Sequence, residues 1–260
     1  MYWQLSFMSF KRGFVYRIHF IITILSSIIQ LAVLWFLWTA IYSVSSTEII
    51  GGFTFTAMIT YASISTAISF IISSYTEYAI EEDVKTGRIS NTLTKPVNYI
   101  VFYIFNEYGE VFFKILTMGL PLILISFLFL NISLPSSSIF FISVIFGFFI
   151  NFFLVLLTGM WAFWTAGSIW GIRLTRYVVS QIMSGAIIPI YLFPEWLKTI
   201  AYILPFQAIF NIPLSIYIGK IVGYEILSAI GIQLLWFFGL ALMCVAVWKQ
   251  AEKKIMVHGG

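Results

Sequence analysis

Long apolar stretches alternate with short polar joints along the chain, and the apolar stretches show no period of two. Several exceed the roughly 20 residues that a helix needs to cross hydrocarbon. Six spans are predicted, over 20–42, 51–74, 111–130, 138–164, 177–192 and 224–248. Backbone amides in lipid must be bonded within their own segment or within a closed barrel, and unbroken apolar runs select helices. The expected fold is therefore all-α and integral to a membrane, with residues 1–260 forming one transmembrane domain.

The joints differ in kind. Over residues 1–19, Trp3, Phe7, Phe10 and Phe14 recur at helical spacing beside Lys11, Arg12 and Arg17. That pattern suits a helix lying in the interface and feeding the first span; it also suits a plain basic flank. Residues 43–50 and 131–137 read as short external turns, the second marked by Asn131, Pro135 and three serines. Residues 75–110 form the one long inner loop, and 165–176 a short inner turn holding Gly167, Gly171, Arg173 and Arg176. Segment 193–223 is too apolar for a free loop and too interrupted for a span. Four of the seven prolines, Pro189, Pro194, Pro205 and Pro213, fall within 25 residues around it. Irregular backbone at membrane depth survives only when buried in protein or lining a cavity, which predicts short re-entrant helices dipping from the outer face. No internal repeat is evident, which argues against an inverted-repeat transporter.

Composition sharpens this picture. Mean hydropathy is +1.00, 61% of residues are hydrophobic and 9% charged, so no length remains for a soluble catalytic domain. Twelve of the fourteen Lys and Arg fall on one side of the predicted bundle, and only Lys198 and Lys220 on the other. The positive-inside rule then places both termini in the cytoplasm. The net charge of +4 is loop bias, and nothing suggests a nucleic-acid surface. Cys244 is the only cysteine, and His19 and His258 are the only histidines, which excludes an intrachain disulfide or a thiolate metal cluster. The first apolar run is longer than a signal-peptide core and reads as a retained anchor.

Candidate chemistry is sparse. Glu77, Glu81, Glu82 and Asp83 precede Lys85 and Arg88 at helical spacing, and a second short turn to Leu93 is limited by Pro96. Charged helices projecting from a membrane domain offer a grip to a soluble motor; the same residues also read as a solvated loop with i,i+4 pairs. No ionisable residue falls mid-span, since Lys114 and Glu225 sit at span edges and Glu110 just before one. Ion-coupled transport normally needs such groups, so energy is expected from outside this chain. Thr56, Thr60 and Ser63 share a face of span two, and Ser180 and Ser184 share one of span five. Small residues serve close helix packing, or these faces line a path for hydrophobic or amphipathic cargo. Asn151 and Gln233 are expected to bond between helices. No G-x-x-x-x-G-K-[ST], H-E-x-x-H or G-x-S-x-G occurs, so neither a nucleotide site nor a catalytic one is expected here.

Three segments carry a family likeness. They are Phe10-Lys11-Arg12-Gly13-Phe14-Val15-Tyr16-Arg17, then Gly87-Arg88-Ile89-Ser90-Asn91-Thr92-Leu93-Thr94-Lys95-Pro96, and Pro194-Glu195-Trp196-Leu197-Lys198 with Leu204-Pro205-Phe206. With span number and order, they resemble the ABC-2-type permeases, the transmembrane subunits of ABC exporters related to daunorubicin and multidrug-resistance exporters. The resemblance implies a permease in the cytoplasmic membrane, pairing with a second permease and with two ATP-binding subunits that hold ATP and Mg. Glu81, Glu82, Asp83, Gly87, Arg88, Leu93 and Pro96 would then couple to the ATPase. Spans two and five would line the substrate path, and Pro194, Trp196, Pro205 and Phe206 would belong to the re-entrant helices. The cargo would be drug, peptide or lipid-like. A homo-oligomeric channel, which would also lack intramembrane charge, is the rival reading, with an integral-membrane enzyme behind it.

Overall fold

The computed structural model describes residues 2–15, 17–89, 98–165 and 168–258. The chain runs through α1 (Tyr2–Gly13), α2 (Arg17–Val44), a hairpin of β1 (Ile49–Ile50) and β2 (Phe53–Thr54), α3 (Phe55–Ile72) and α4 (Thr76–Lys85). Next come α5 (Tyr99–Lys114), a π-helical turn (Ile115–Gly119), α6 (Leu120–Leu130), α7 (Ile139–Met160) and α8 (Trp170–Met183). Then α9 (Glu195–Ile203), a 3-10 turn (Pro205–Ala208), α10 (Asn211–Tyr217) and α11 (Tyr224–His258) complete it. Among the described residues, five helical stretches are long and apolar enough to cross a membrane, and the bent pair from Glu195 to Tyr217 passes as a sixth. This is an all-α integral membrane fold.

Local chemistry sets the boundaries. Gly51 and Gly52 both take positive φ in the turn between β1 and β2, as two-residue hairpins require. The second span therefore begins at Phe55 and not at 51, with Thr54 capping Ala57 N at 3.3 Å. Asn98 caps α5 by accepting from Ile100 N and Val101 N at 3.0 and 3.2 Å. The third span consequently starts inside the segment expected to be loop. Pro121 has no N–H to offer, and the helix ladder slips to the five-residue spacing that joins Leu120 N to Ile115 O.

The expected fifth span, 177–192, is not one continuous helix. Helix α8 covers Trp170–Met183 and stops, because Gly185 adopts φ +79° and Pro189 cannot donate. The freed carbonyls are bonded by neighbours. Tyr61 Oη donates to Gly185 O at 2.7 Å, Ser65 Oγ to Ala186 O at 2.6 Å and Asn211 N to Ser184 O at 3.0 Å.

Helix α7 is the central post, with Ile150, Leu156 and Met160 fully buried. Phe149 and Phe153 pack on Phe237 of α11. Asn151 Nδ2 donates to Ile72 O at 2.8 Å, and Gln233 Nε2 donates to Ser143 O and Ala208 O at 3.0 and 2.8 Å. Both residues therefore bond between helices.

Segment α9–α10 enters the bundle and returns to the same end. The turn that leads into it lies, at Leu192, against Gly51 of the hairpin. Its finish is tied to the α6–α7 connection, where Tyr217 Oη donates to Ser133 O at 2.9 Å and Ser136 N to Tyr217 O at 2.8 Å. Between them Ala208 and Ile209 reach Gly147, where an added Cβ would sit 2.7 Å from Ile209 O. Gly147 lies eight residues into α7 from Ile139, about 12 Å at 1.5 Å per residue. The segment bends by 73° at the break between Glu195–Ile203 and Pro205–Tyr217. Outward faces of α2 and α11, with Ile22, Ile29, Phe36, Leu235, Phe238 and Leu242, stay exposed and apolar, as lipid requires.

Candidate functional site: a cavity and the helix beneath it

A cavity of about 990 Å³ opens among α1, α2, α3, α4, α5, α7 and α8. Its charged residues gather at one end, where α1 supplies Arg12, α4 Glu77, α5 Glu110 and Lys114, and α8 Arg173 and Arg176. The opposite wall, including Leu34, Ser65, Thr66, Ala186, Ile187 and Phe210, is uncharged.

Helix α4 forms the floor. It follows α3 after a joint at residues 73–75, and Glu107 holds that joint. Glu107 is almost fully buried, and its Oε2 accepts from Ser74 Oγ at 2.7 Å and Thr76 Oγ1 at 2.9 Å. Lys114 Nζ lies 3.6 Å from Glu107 and 3.9 Å from Glu110, and donates to Ser73 O. Lys114, at the span edge as expected, is therefore a buried structural cation. Glu107 went unnoticed in the sequence. Its signal was spacing, since Glu107, Glu110 and Lys114 at i, i+3 and i+7 share one helical face.

The next turn of α4 is zipped to α8. Glu77 Oε1 meets Arg176 at 2.9 Å, and Glu81 Oε2 meets Arg173 at 2.6 Å while its other oxygen takes Lys85 at 2.7 Å. Arg173 also lies 3.7 Å over the Tyr78 ring. Close approach of α4 to α7 depends on Gly159, where a Cβ would stand 2.8 Å from Ile80 Cδ1. Asp83 Oδ2 accepts from Tyr103 Oη at 2.9 Å, which ties α4 to α5.

The outer side of α4 is different. Glu82 and Arg88 are each 56% exposed in their side chains and 3.4 Å apart, and Gly87 takes φ +70° with open space around it. The residues expected at the coupling loop thus divide. Glu81 and Asp83 turn inward and hold the bundle, whereas Glu82, Gly87 and Arg88 face out. Leu93 and Pro96 lie outside the described residues.

Of the five residues expected to line a path, Ser180 borders the cavity. Thr60 is buried and bonded, donating to Thr56 O at 2.8 Å and accepting from Ser133 N at 3.2 Å. Thr56, Ser63 and Ser184 do not border the cavity either. The face of α3 that does is roughly half a turn away, with Ser65, Thr66 and Ser69. In the re-entrant segment Pro194 caps α9, Trp196 is exposed, and Pro205 and Phe206 form the 3-10 turn at the deep end.

Apolar helices around a cavity with a charged mouth, and a charged helix beneath it, define the membrane subunit of a transporter. Residues 28–259 match the family described as ABC-2 family transporter protein, and the chain belongs to that family. No curated protein matches the chain. Membership implies a multi-pass membrane protein that works with an ATP-binding partner.

Proposed function

We propose that this chain is the permease subunit of an ATP-driven exporter of a hydrophobic or amphipathic molecule, seated in the cytoplasmic membrane with both termini inside. Two copies of a separate subunit bind ATP and Mg, and a second permease, identical or related, completes the pathway. The observation that carries this reading is the two-sided α4. Its inward carboxylates are paired with α8 while Glu82, Gly87 and Arg88 are left outward.

A push on the outer face of α4 would travel through those pairs to α8 and through Asp83–Tyr103 to α5. Both helices wall the cavity. Closure of the nucleotide-binding pair would then shift the permease between inward- and outward-facing packing. Transport follows from the different affinity of cargo for the two states.

The test is purification from native membranes in mild detergent with identification of the bound proteins. A stoichiometric P-loop ATPase is expected. Glu82→Arg together with Arg88→Glu should leave the permease folded and lower transport-coupled hydrolysis at least tenfold. A permease recovered alone, with ion conductance and no response to ATP, would refute the exporter and leave the channel.

A further inference from the structure

We infer that the cavity takes an amphiphile with an anionic head, carboxylate or phosphate, and that Arg12 of the N-terminal helix is the group that meets this head. The inference rests on reading the cavity as the cargo site.

Four cations border the cavity, Arg12, Lys114, Arg173 and Arg176, against two carboxylates, Glu77 and Glu110. Three of the cations have carboxylate partners within 4 Å: Lys114 has Glu107 and Glu110, Arg173 has Glu81, and Arg176 has Glu77. Among the described residues Arg12 has no ion pair of that kind, and it is exposed. Glu81 and Glu107 do not line the cavity but balance Arg173 and Lys114 from behind, so the cation left without a close carboxylate to meet a head is Arg12. Charge-assisted hydrogen bonds are the strong ones, and arginine presents a planar fork that matches carboxylate and phosphate.

A second observation is independent of Arg12. The Glu77–Arg176 pair is single, so Arg176 Nε and Glu77 Oε2 are buried with no partner, and Glu77 itself is only 3% exposed. Buried polar atoms are normally satisfied. A head that parted this pair would offer an anionic oxygen to Arg176 Nε and a hydroxyl to Glu77 Oε2, the two atoms left unbonded in the closed pair.

The far wall suits a tail, although it is rich in serine and threonine. Its hydroxyl protons are already spent. Ser65 donates to Ala186 O at 2.6 Å, Thr66 to Ala62 O at 2.8 Å, Ser69 to Ser65 O at 2.9 Å and Ser73 to Phe70 O at 2.8 Å. With the hydroxyl protons of Ser65, Thr66 and Ser69 committed to carbonyls, the α3 wall between Leu34, Ile187 and Phe210 offers cargo mainly contact, as an alkyl chain requires. Arg12 is held in place by packing. Helix α1 is bound to α5 through Ser6 Oγ to Phe105 O and Ser9 Oγ to Asn106 Oδ1, both 2.5 Å. Gly13 presses on the Phe113 ring, with an added Cβ 2.6 Å away.

The test uses the purified full-length permease in phosphatidylcholine nanodiscs and three fluorescent probes with one tail: an alkyl phosphate, the alcohol and the trimethylammonium. The phosphate probe should bind about tenfold tighter than the ammonium probe. Arg12→Gln should weaken the phosphate probe about tenfold, within what one charge-assisted bond supplies, leave the alcohol unchanged, and be rescued by Arg12→Lys. Its unchanged melting temperature shows that folding is not the cause. If all three probes bind alike and Arg12→Gln moves none, while Ser69→Trp abolishes binding, the cargo site stands and the anionic head is refuted. If no probe binds, the cargo-site reading itself falls and takes the inference with it. Displacement by short-chain phosphatidic acid supports a lipid source, and displacement by free alkyl phosphate alone supports a soluble amphiphile. Displacement by inorganic phosphate alone would overturn the amphiphile.

Discussion

Glu77 and Glu81 show what a single residue can do here. By composition they belong to a hydrophilic joint, yet both are buried and bonded to arginines more than ninety positions away. Removing one partner of a buried pair leaves the other charge uncompensated, which costs about 3–5 kcal/mol when burial is complete. Arg176 retains some exposure, so Glu77→Gln should cost about 2–3 kcal/mol, read as a lower melting temperature in detergent. Adding Arg176→Gln should recover part of that loss, since neighbours in one pair do not add independently. Strict additivity would show that the pair contributes no coupling. The acids were legible in the sequence as a helical face, whereas Arg173 and Arg176 read as members of a short inner turn over 165–176 and lie in helix α8. Their meeting was not legible, because nothing local specifies which distant helix supplies the counter-charge. The same holds for Arg12, which read as a flank charge until α1 was seen docked on α5.

At the scale of elements, the helices that sequence patterning located well are those with unbroken apolar runs, α2, α7 and α11. It failed where backbone chemistry overrides hydropathy. In the run 177–192 hydropathy continues through Gly185 and Pro189, but the helix cannot, and α3 supplies the missing donors through Tyr61 and Ser65. The polar residues Thr56, Thr60 and Ser63 of α3 read either as close packing or as a path, and the residues of α3 that border the cavity are Ser65, Thr66 and Ser69. A prediction belongs to this break. Gly185→Ala puts a side chain at φ +79° against the Tyr61 hydroxyl, 3.0 Å from the added Cβ. It should destabilise by about 1–2 kcal/mol. Tyr61→Phe removes only the bond to Gly185 O and should cost about 1 kcal/mol, the scale of interhelical bonds in membranes. Thermal unfolding followed by tryptophan fluorescence measures both. Equal stability of both variants with the wild type would mean that the break is not held by α3.

At the scale of the molecule, the arrangement of charge and the return of α9–α10 make one joint statement about sidedness. Hydropathy alone counts the bent pair from Glu195 to Tyr217 as a possible sixth span, and a span would put its two ends on opposite sides of the membrane. The contacts put both ends beside the β hairpin and the α6–α7 connection. Were α8 carried on through its break as the other crossing, which its own length and hydropathy do not give, the termini would fall on one side, as the lysine and arginine bias predicts. Single cysteines decide between these topologies, because the native Cys244 is fully buried and stays silent toward impermeant reagents. Glu195→Cys, whose native side chain is 86% exposed, and Tyr224→Cys, at 91%, should both label from outside intact cells. Lys85→Cys and Lys253→Cys should label only after the membrane is opened. Labelling of positions 195 and 224 from opposite sides would make the bent pair a true span and turn one terminus outward. It would also separate α4 from the cavity mouth that it drives in the proposed coupling, so this topology is a condition for the coupling mechanism as well as for the fold.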